Sequence, residues 1–195
     1  QCRIKILGGI CTDTSDSDFT IVYPQITVTA PVAGDSWYVG QTNSITWTSF
    51  GGIDNVRIEL TRDDGATWSD IISSTPNDGA HKWNTTSPTS IRCRVRVSDA
   101  GRPAVNDLSD VFAIRQRSIT VISPNGGQDW PVRSSQDVVW TSAGLSGNIK
   151  IELSRDSGST WHTLVDAVPL ASPWTWPFVT PPPSANCRIR VTSLN

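Results

Sequence analysis

The chain has 195 residues, with 16 Lys and Arg against 18 Asp and Glu, a formal net charge of −2 and 37% hydrophobic residues. That balance excludes both a basic protein that tracks a phosphate backbone and a charge-swollen disordered chain. No apolar run approaches the roughly 18 residues that cross a bilayer as a helix, so neither nucleic acid nor membrane insertion is expected. Methionine is absent, even at position 1, which reads as a processed, exported chain or a piece of a longer one. Length permits one large domain or two of about 100 residues. Plentiful Thr, Ser, Val and Ile and nine Trp favour pleated, half-buried surfaces, so an all-β protein with almost no helix is expected.

The first predicted strand is Cys2-Arg3-Ile4-Lys5-Ile6, followed by the Asp- and Ser-rich loop 12–18 and a second strand, Asp18, Phe19, Thr20, Ile21, Val22 and Tyr23. From residue 24, short alternating runs are separated by Gly, Pro, Asn and Asp at the spacing of a sandwich, about 8 to 12 residues. Ser44-Ile45-Thr46-Trp47, Val56-Arg57-Ile58-Glu59-Leu60, Cys93-Arg94-Val95-Arg96-Val97 and the closing run Ser109-Asp110-Val111-Phe112-Ala113-Ile114 are the clearest. Arg57 and Glu59, like Arg94 and Arg96, share a face, since successive side chains of a strand alternate.

The pattern then repeats. Residues 26–83 align without a gap on residues 119–176, a shift of 93 positions, and after one inserted residue Cys93-Arg94-Val95-Arg96-Val97 returns as Cys187-Arg188-Ile189-Arg190-Val191. A fixed period of this kind marks a tandem array. The sequence divides into an N-terminal segment 1–23 (the last strands of a module, or a donor strand), a complete module 24–117, and a module 118–195 without a final strand. Cys2–Ile6 is a third copy of the Cys93 strand, and the run around Phe19 resembles the closing strand of the middle module.

Few motifs carry chemistry. His81 and His162, the only histidines, occupy non-equivalent places, and neither a nucleophile elbow nor a metal-ligand spacing accompanies them. No catalytic residue, cofactor or metal is expected. Eight Trp form four pairs across the repeat, which points to packing, whereas Trp174 is unmatched and is the candidate for stacking on a glycan. Cys93 and Cys187 read as lone buried thiols. Cys2 and Cys11 could close a disulfide across a short loop, with Cys11 bonding a neighbouring chain as the alternative. The carboxylates of loop 12–18 suit either a solvated turn or a calcium ion. Asn84-Thr85-Thr86 is a glycosylation sequon, with Asn84 the acceptor.

Each module also holds a run of the form Ser/Thr-x-Asp-x-Gly-x-Thr-Trp, at Thr61 to Trp68 and at Ser154 to Trp161. It resembles the Asp-box of sialidases and other propellers. The resemblance implies structural turns built on Asp63, Gly65 and Trp68 and on Asp156, Gly158 and Trp161. Two Tyr and two such turns do not make a sialidase site.

The module opening Ile-x-Val-x-x-Pro-x-x-Gly-x-x-Trp, with Trp-Thr-Ser and the Ile-Glu-Leu run, is similar to the domain family of Ser/Thr-rich GPI-anchored fungal wall proteins and of tandem surface modules in bacteria and archaea. That likeness covers nearly all of residues 24–195 and implies tandem immunoglobulin-like or fibronectin type III-like β-sandwiches on an extracellular or cell-surface protein, with no catalytic residues to carry over. Arg133, where Gly40 stands in the first module, departs from it. The expected role is a subunit of an extracellular filament, joined to itself head to tail by strand donation from residues 18–23 into the last module. The alternatives are a spacer or stalk in a longer surface array, and an accessory module that binds surface glycans for a secreted hydrolase.

Overall fold

The computed structural model describes residues 4–9 and 11–195, and of residues 6, 7, 8 and 11 the backbone only. Among the described residues there is no helix. The seventeen strands, in chain order, begin with β1 (Lys5–Gly8), β2 (Cys11–Thr14), β3 (Gln25–Ala30), β4 (Ser36–Tyr38), β5 (Thr42–Phe50) and β6 (Asn55–Thr61). They continue with β7 (Ser69–Pro76), β8 (Ala80–Asn84), β9 (Ser90–Asp99), β10 (Asn106–Leu108), β11 (Phe112–Arg115) and β12 (Ser118–Ser123). The last five are β13 (Gln136–Ala143), β14 (Asn148–Ser154), β15 (His162–Pro169), β16 (Trp174–Trp176) and β17 (Arg188–Ser193).

The chain forms two compact units, residues 1–114 and 115–195. In the first, the three-stranded sheet β3-β5-β8 faces a larger sheet ordered β4-β11-β9-β6-β7, with β10 also paired to β9. The alternation of β6 and β9 sends Val56, Ile58, Leu60, Cys93, Val95 and Val97 inward, where they meet Ile26, Ile45 and Trp47 of the opposite sheet. Phe112 and Ile114 of β11, each 1% exposed, close this core, and the Phe112 ring lies 4.8 Å from that of Trp37. One continuous apolar cluster results.

The second unit repeats the plan with fewer parts: β12-β13-β16 forms one sheet and β15-β14-β17 the other. Its residues include no counterpart of β10 or β11, and the stretch equivalent to β4, around Trp130, is not a strand. Strand β4 is held in its sheet by β11. Without that neighbour the equivalent backbone has no ladder to join. The core consequently splits into two clusters, one around Val138, Trp140, Ile149 and Ile151 and one around Leu153, Trp176 and Val179.

Ahead of the first module, β1 and β2 pair with each other as a two-stranded sheet among the described residues. Their register repeats that of β9 with β10. Ile6 pairs with Asp13 as Val97 pairs with Asp107, and the Ser15 N–H donates to Ile4 O at 3.1 Å as Ser109 N–H donates to Val95 O at 2.8 Å. The N-terminal segment is therefore built like the closing hairpin of a module. Residues 20–24 belong to no strand, and Ile21, Val22 and Tyr23 are exposed.

Candidate functional site

The turn after β6 is organised by one carboxylate. Thr61 Oγ1 donates to Asp63 Oδ1 at 2.6 Å, Thr67 donates its N–H to the same oxygen at 2.9 Å, and its hydroxyl donates to Oδ2 at 2.6 Å. These bonds, the Thr61 hydroxyl first, hold the Asp63 carboxyl down at about 2. Gly65 takes a φ of 103°, which a side chain would resist, and Trp68 Nε1 donates to its carbonyl at 3.1 Å. The second module repeats this with Ser154, Asp156, Gly158 and Thr160, and the Thr160 hydroxyl and N–H hold Asp156 well below the usual carboxylate range. Each Asp carboxylate accepts these bonds from within its own turn, so both hold the turn's shape.

Trp68 and Trp161 lie on the outer face, not in the core. The Arg96 guanidinium sits 4.4 Å from the Trp68 ring centre and Arg190 sits 4.2 Å from that of Trp161. Each of these Arg also pairs with a mostly covered glutamate, Arg96 with Glu59 and Arg190 with Glu152, at 2.7 Å. A second cation completes each set, Arg57 at 3.2 Å from Glu59 and Lys150 at 3.1 Å from Glu152. The wet face anticipated for Arg57 and Glu59 is thus a layer of paired charges with Glu59 only 4% exposed. All of these groups are spent on one another.

The feature without a partner is the open edge of the second module. Where β11 lies across β9 in the first module, β17 faces a cavity of about 1040 Å³ lined by Val121, Trp130, Leu153, Trp176, Val179, Cys187 and Ile189, among others. Cys93, under β11, is fully buried, whereas Cys187 is exposed, which corrects the expectation of two buried thiols. The cause is the missing neighbour: Phe112 pairs directly with Cys93, and nothing among residues 118–195 takes that position over Cys187. Ile189 is half-buried where its counterpart Val95 has no exposed surface. Trp130 and Trp176 stand 6.4 Å apart, edge to face, without the phenyl ring that packs on Trp37.

The strand singled out in the sequence carries the side chains this cavity lacks. The 93-residue shift that relates the two modules also carries Phe112 back onto Phe19 and Ile114 back onto Ile21. Phe19 is 38% and Ile21 72% exposed, against 1% for each counterpart. The sequence reading singled out residues 18–23 and the shortened last module. It did not single out Trp130, Trp176, Cys187 and Ile189 as the lining of an open groove, because paired Trp and Cys read equally well as sealed core.

The other candidates are dispersed. Trp174 is half-buried and packs against the inner cluster of its module, so it offers no open platform. Asn84 is exposed at the end of β8. His81 is half-buried and His162 exposed, on different modules. Cys2 lies outside the described residues and Cys11 is described only by its backbone, so their pairing does too. Among the described residues no three His, Cys, Asp or Glu are grouped to hold a metal, and the loop Asp residues form no such group.

Two antiparallel sheets packed face to face, a plan the second unit repeats with fewer strands, define an all-β protein of tandem immunoglobulin-like sandwiches. No family model matches the chain, and no curated protein matches it either. Solved structures similar to it include the fibronectin(III)-like modules of Clostridium thermocellum CbhA, 13% identical over 80% of each chain with a TM-score of 0.30. The FN1–FN3 domains of chicken CNTN1 are 16% identical over 99% of this chain and 69% of theirs, with a TM-score of 0.37.

Proposed function

We propose that this is a non-catalytic structural protein of the cell exterior whose copies join head to tail, residues 18–23 of one copy lying along β17 in the last module of the next. The observation that carries this reading is the match between an open groove lacking a Phe-x-Ile strand and an exposed Phe19-x-Ile21 segment at the same repeat interval, which belongs to no strand of its own. An added strand satisfies the unpaired backbone groups of β17 and seats two apolar side chains, the chemistry of β-augmentation. Donor and acceptor are different surfaces, so the contact does not close on itself and propagates as a fibre. The exterior placement follows the likeness of the repeat to surface modules.

A specific observation favours a second reading. The hairpin β1–β2 shares the register of β9–β10, as it would if it ended a preceding module of a longer array, with the groove of the last module filled by chain that follows. Light scattering after size exclusion, with negative-stain microscopy, separates the two. Filaments or oligomers that vanish when residues 1–23 are removed support strand donation. Monomers both with and without residues 1–23 refute it and leave a spacer in an array.

A further inference from the structure

The groove of the second module differs from the filled groove of the first by a charge as well as by a strand. Arg94, on β9, is fully engaged: its Nε donates to Asp64 Oδ1 at 2.6 Å and its Nη1 to Ser109 O at 3.1 Å. Its counterpart Arg188 lines the open groove. At the position of Asp64 the second module has Ser157, and Ser109 has no counterpart between residues 118 and 195. Arg188 therefore has lost both acceptors, and among the described residues its guanidinium makes no hydrogen bond or ion pair, while its backbone lies in the ladder opposite Ser154. The other cation of the groove, Arg155, is spent on Thr180 and the carbonyls of Pro181 and Pro182.

The missing carboxylate is present on the proposed donor. Asp16 stands three residues ahead of Phe19, as Ser109, the residue whose carbonyl receives Arg94, stands three ahead of Phe112, and it directly follows Ser15, which takes the place of Ser109 in the hairpin register. Asp16 is exposed, and Asp13 and Asp18 flank it in the same stretch. In the complete module the arginine is neutralised from within. In the open module the neutralising group has moved to the strand that must arrive.

We propose that Arg188 is a specificity residue for self-assembly: it receives Asp16 of a second copy as that copy's strand enters the groove, so pairing requires charge complementarity as well as apolar fit. This rests on the strand-addition reading. Its consequence is discrimination, because an apolar strand without a carboxylate ahead of its Phe leaves Arg188 desolvated and unpaired. It also gives the encounter a salt dependence that apolar docking alone lacks.

The test measures self-association of the full chain by sedimentation across a salt series, for wild type, Arg188→Gln, Asp16→Asn, the double variant and the charge exchange Arg188→Asp with Asp16→Arg. Arg188 and Asp16 are exposed, and an unchanged thermal melt verifies folding. Each single change is expected to weaken association about fivefold, the size of one partly sheltered ion pair. The double variant is expected to be no weaker than either single one, the exchange pair is expected to recover most of the loss, and Arg94→Gln is expected to leave association unchanged. If wild type associates and both single variants stay within about twofold of it, below the size of such a pair, the charge key is overturned while strand addition stands. If wild type does not associate at all, both are overturned.

Discussion

Trp47 and Trp140 are repeat partners with the same burial, 3% exposed, yet only one has its indole satisfied. Trp47 Nε1 donates to Asn77 Oδ1 at 2.7 Å, and Asn77 Nδ2 donates onward to Ser49 Oγ at 2.7 Å and Ile53 O at 2.8 Å. The position of Asn77 is Leu170 in the second module, on the same turn, with Leu170 N–H donating to Gly147 O as Asn77 N–H donates to Asp54 O. Trp140 Nε1 is consequently buried without an acceptor. An unsatisfied buried donor costs about 1–3 kcal/mol, whereas trimming the half-buried Leu170 surrenders about 1 kcal/mol of apolar burial. Leu170→Asn is therefore expected to stabilise the second module by about 1 kcal/mol, which raises the melting temperature of a unit this size by about 4–8 °C. The converse, Asn77→Leu, removes three bonds at once and is expected to cost the first module about 2–3 kcal/mol. Calorimetry on the full chain, with transitions assigned by the two variants, reads both. A Leu170→Asn chain that melts lower, with Asn77→Leu neutral, would refute the hydrogen-bond reasoning outright.

Arg133 holds a φ of 73° at the turn where Gly40 holds 81°, and both donate their N–H across the turn, to Val179 O and Thr85 O respectively. Arg133→Gly removes the left-handed strain and is expected to stabilise its module by about 1 kcal/mol in urea titration. The depressed Asp63 and Asp156 carboxyls stabilise the folded chain above the ordinary carboxylate value of 3.8 and lose that contribution as pH falls toward about 2. The doubly substituted Asp63→Asn, Asp156→Asn chain is expected to show a shallower loss of melting temperature over that range. Burial pushes the Cys93 thiol up, while Cys187 is open to solvent. Peptide-mapped alkylation of dilute chain is expected to label Cys187 well before Cys93, and concentrating the wild-type chain is expected to slow the labelling of Cys187 alone.

Much of the fold was legible because the sequence states it twice. The alternation in β6 and β9, the Trp pairs and the Asp-Gly turns each recur, so local pattern and repeat agree on all-β sandwiches. The missing closing strand was legible for the same reason, since Phe112-Ala113-Ile114 has no copy after Cys187. The effects of that absence were not legible. A repeat comparison treats Cys93 and Cys187 as equivalent, and only the positions of their neighbours reveal that one is sealed and the other is open. The Trp68 and Trp161 rings likewise read as core by pairing, but the structure sets them on the outer face under Arg96 and Arg190. Arg188 was hidden because its distinction lies in what Ser157 and the absent Ser109 counterpart fail to supply.

Energetics decide how the open groove is filled. Phe19 is 38% and Ile21 72% exposed, so burying them as completely as their counterparts contributes about 2–3 kcal/mol, and each ladder bond along β17 adds about 1 kcal/mol. Against this stands the loss of free motion when two chains combine, about 4–15 kcal/mol. The sum allows association that is weak and concentration-dependent, and it makes a tethered strand far superior, since a short linker supplies an effective concentration on the order of millimolar. A chain extended behind Asn195 by a flexible linker and a second copy of residues 109–115 is therefore expected to fill its own groove. Its Cys187 should become as unreactive as Cys93, its second module should melt higher, and its self-association should disappear. If the extended chain still oligomerises as wild type does, the contact between copies lies elsewhere and the groove is not the joint.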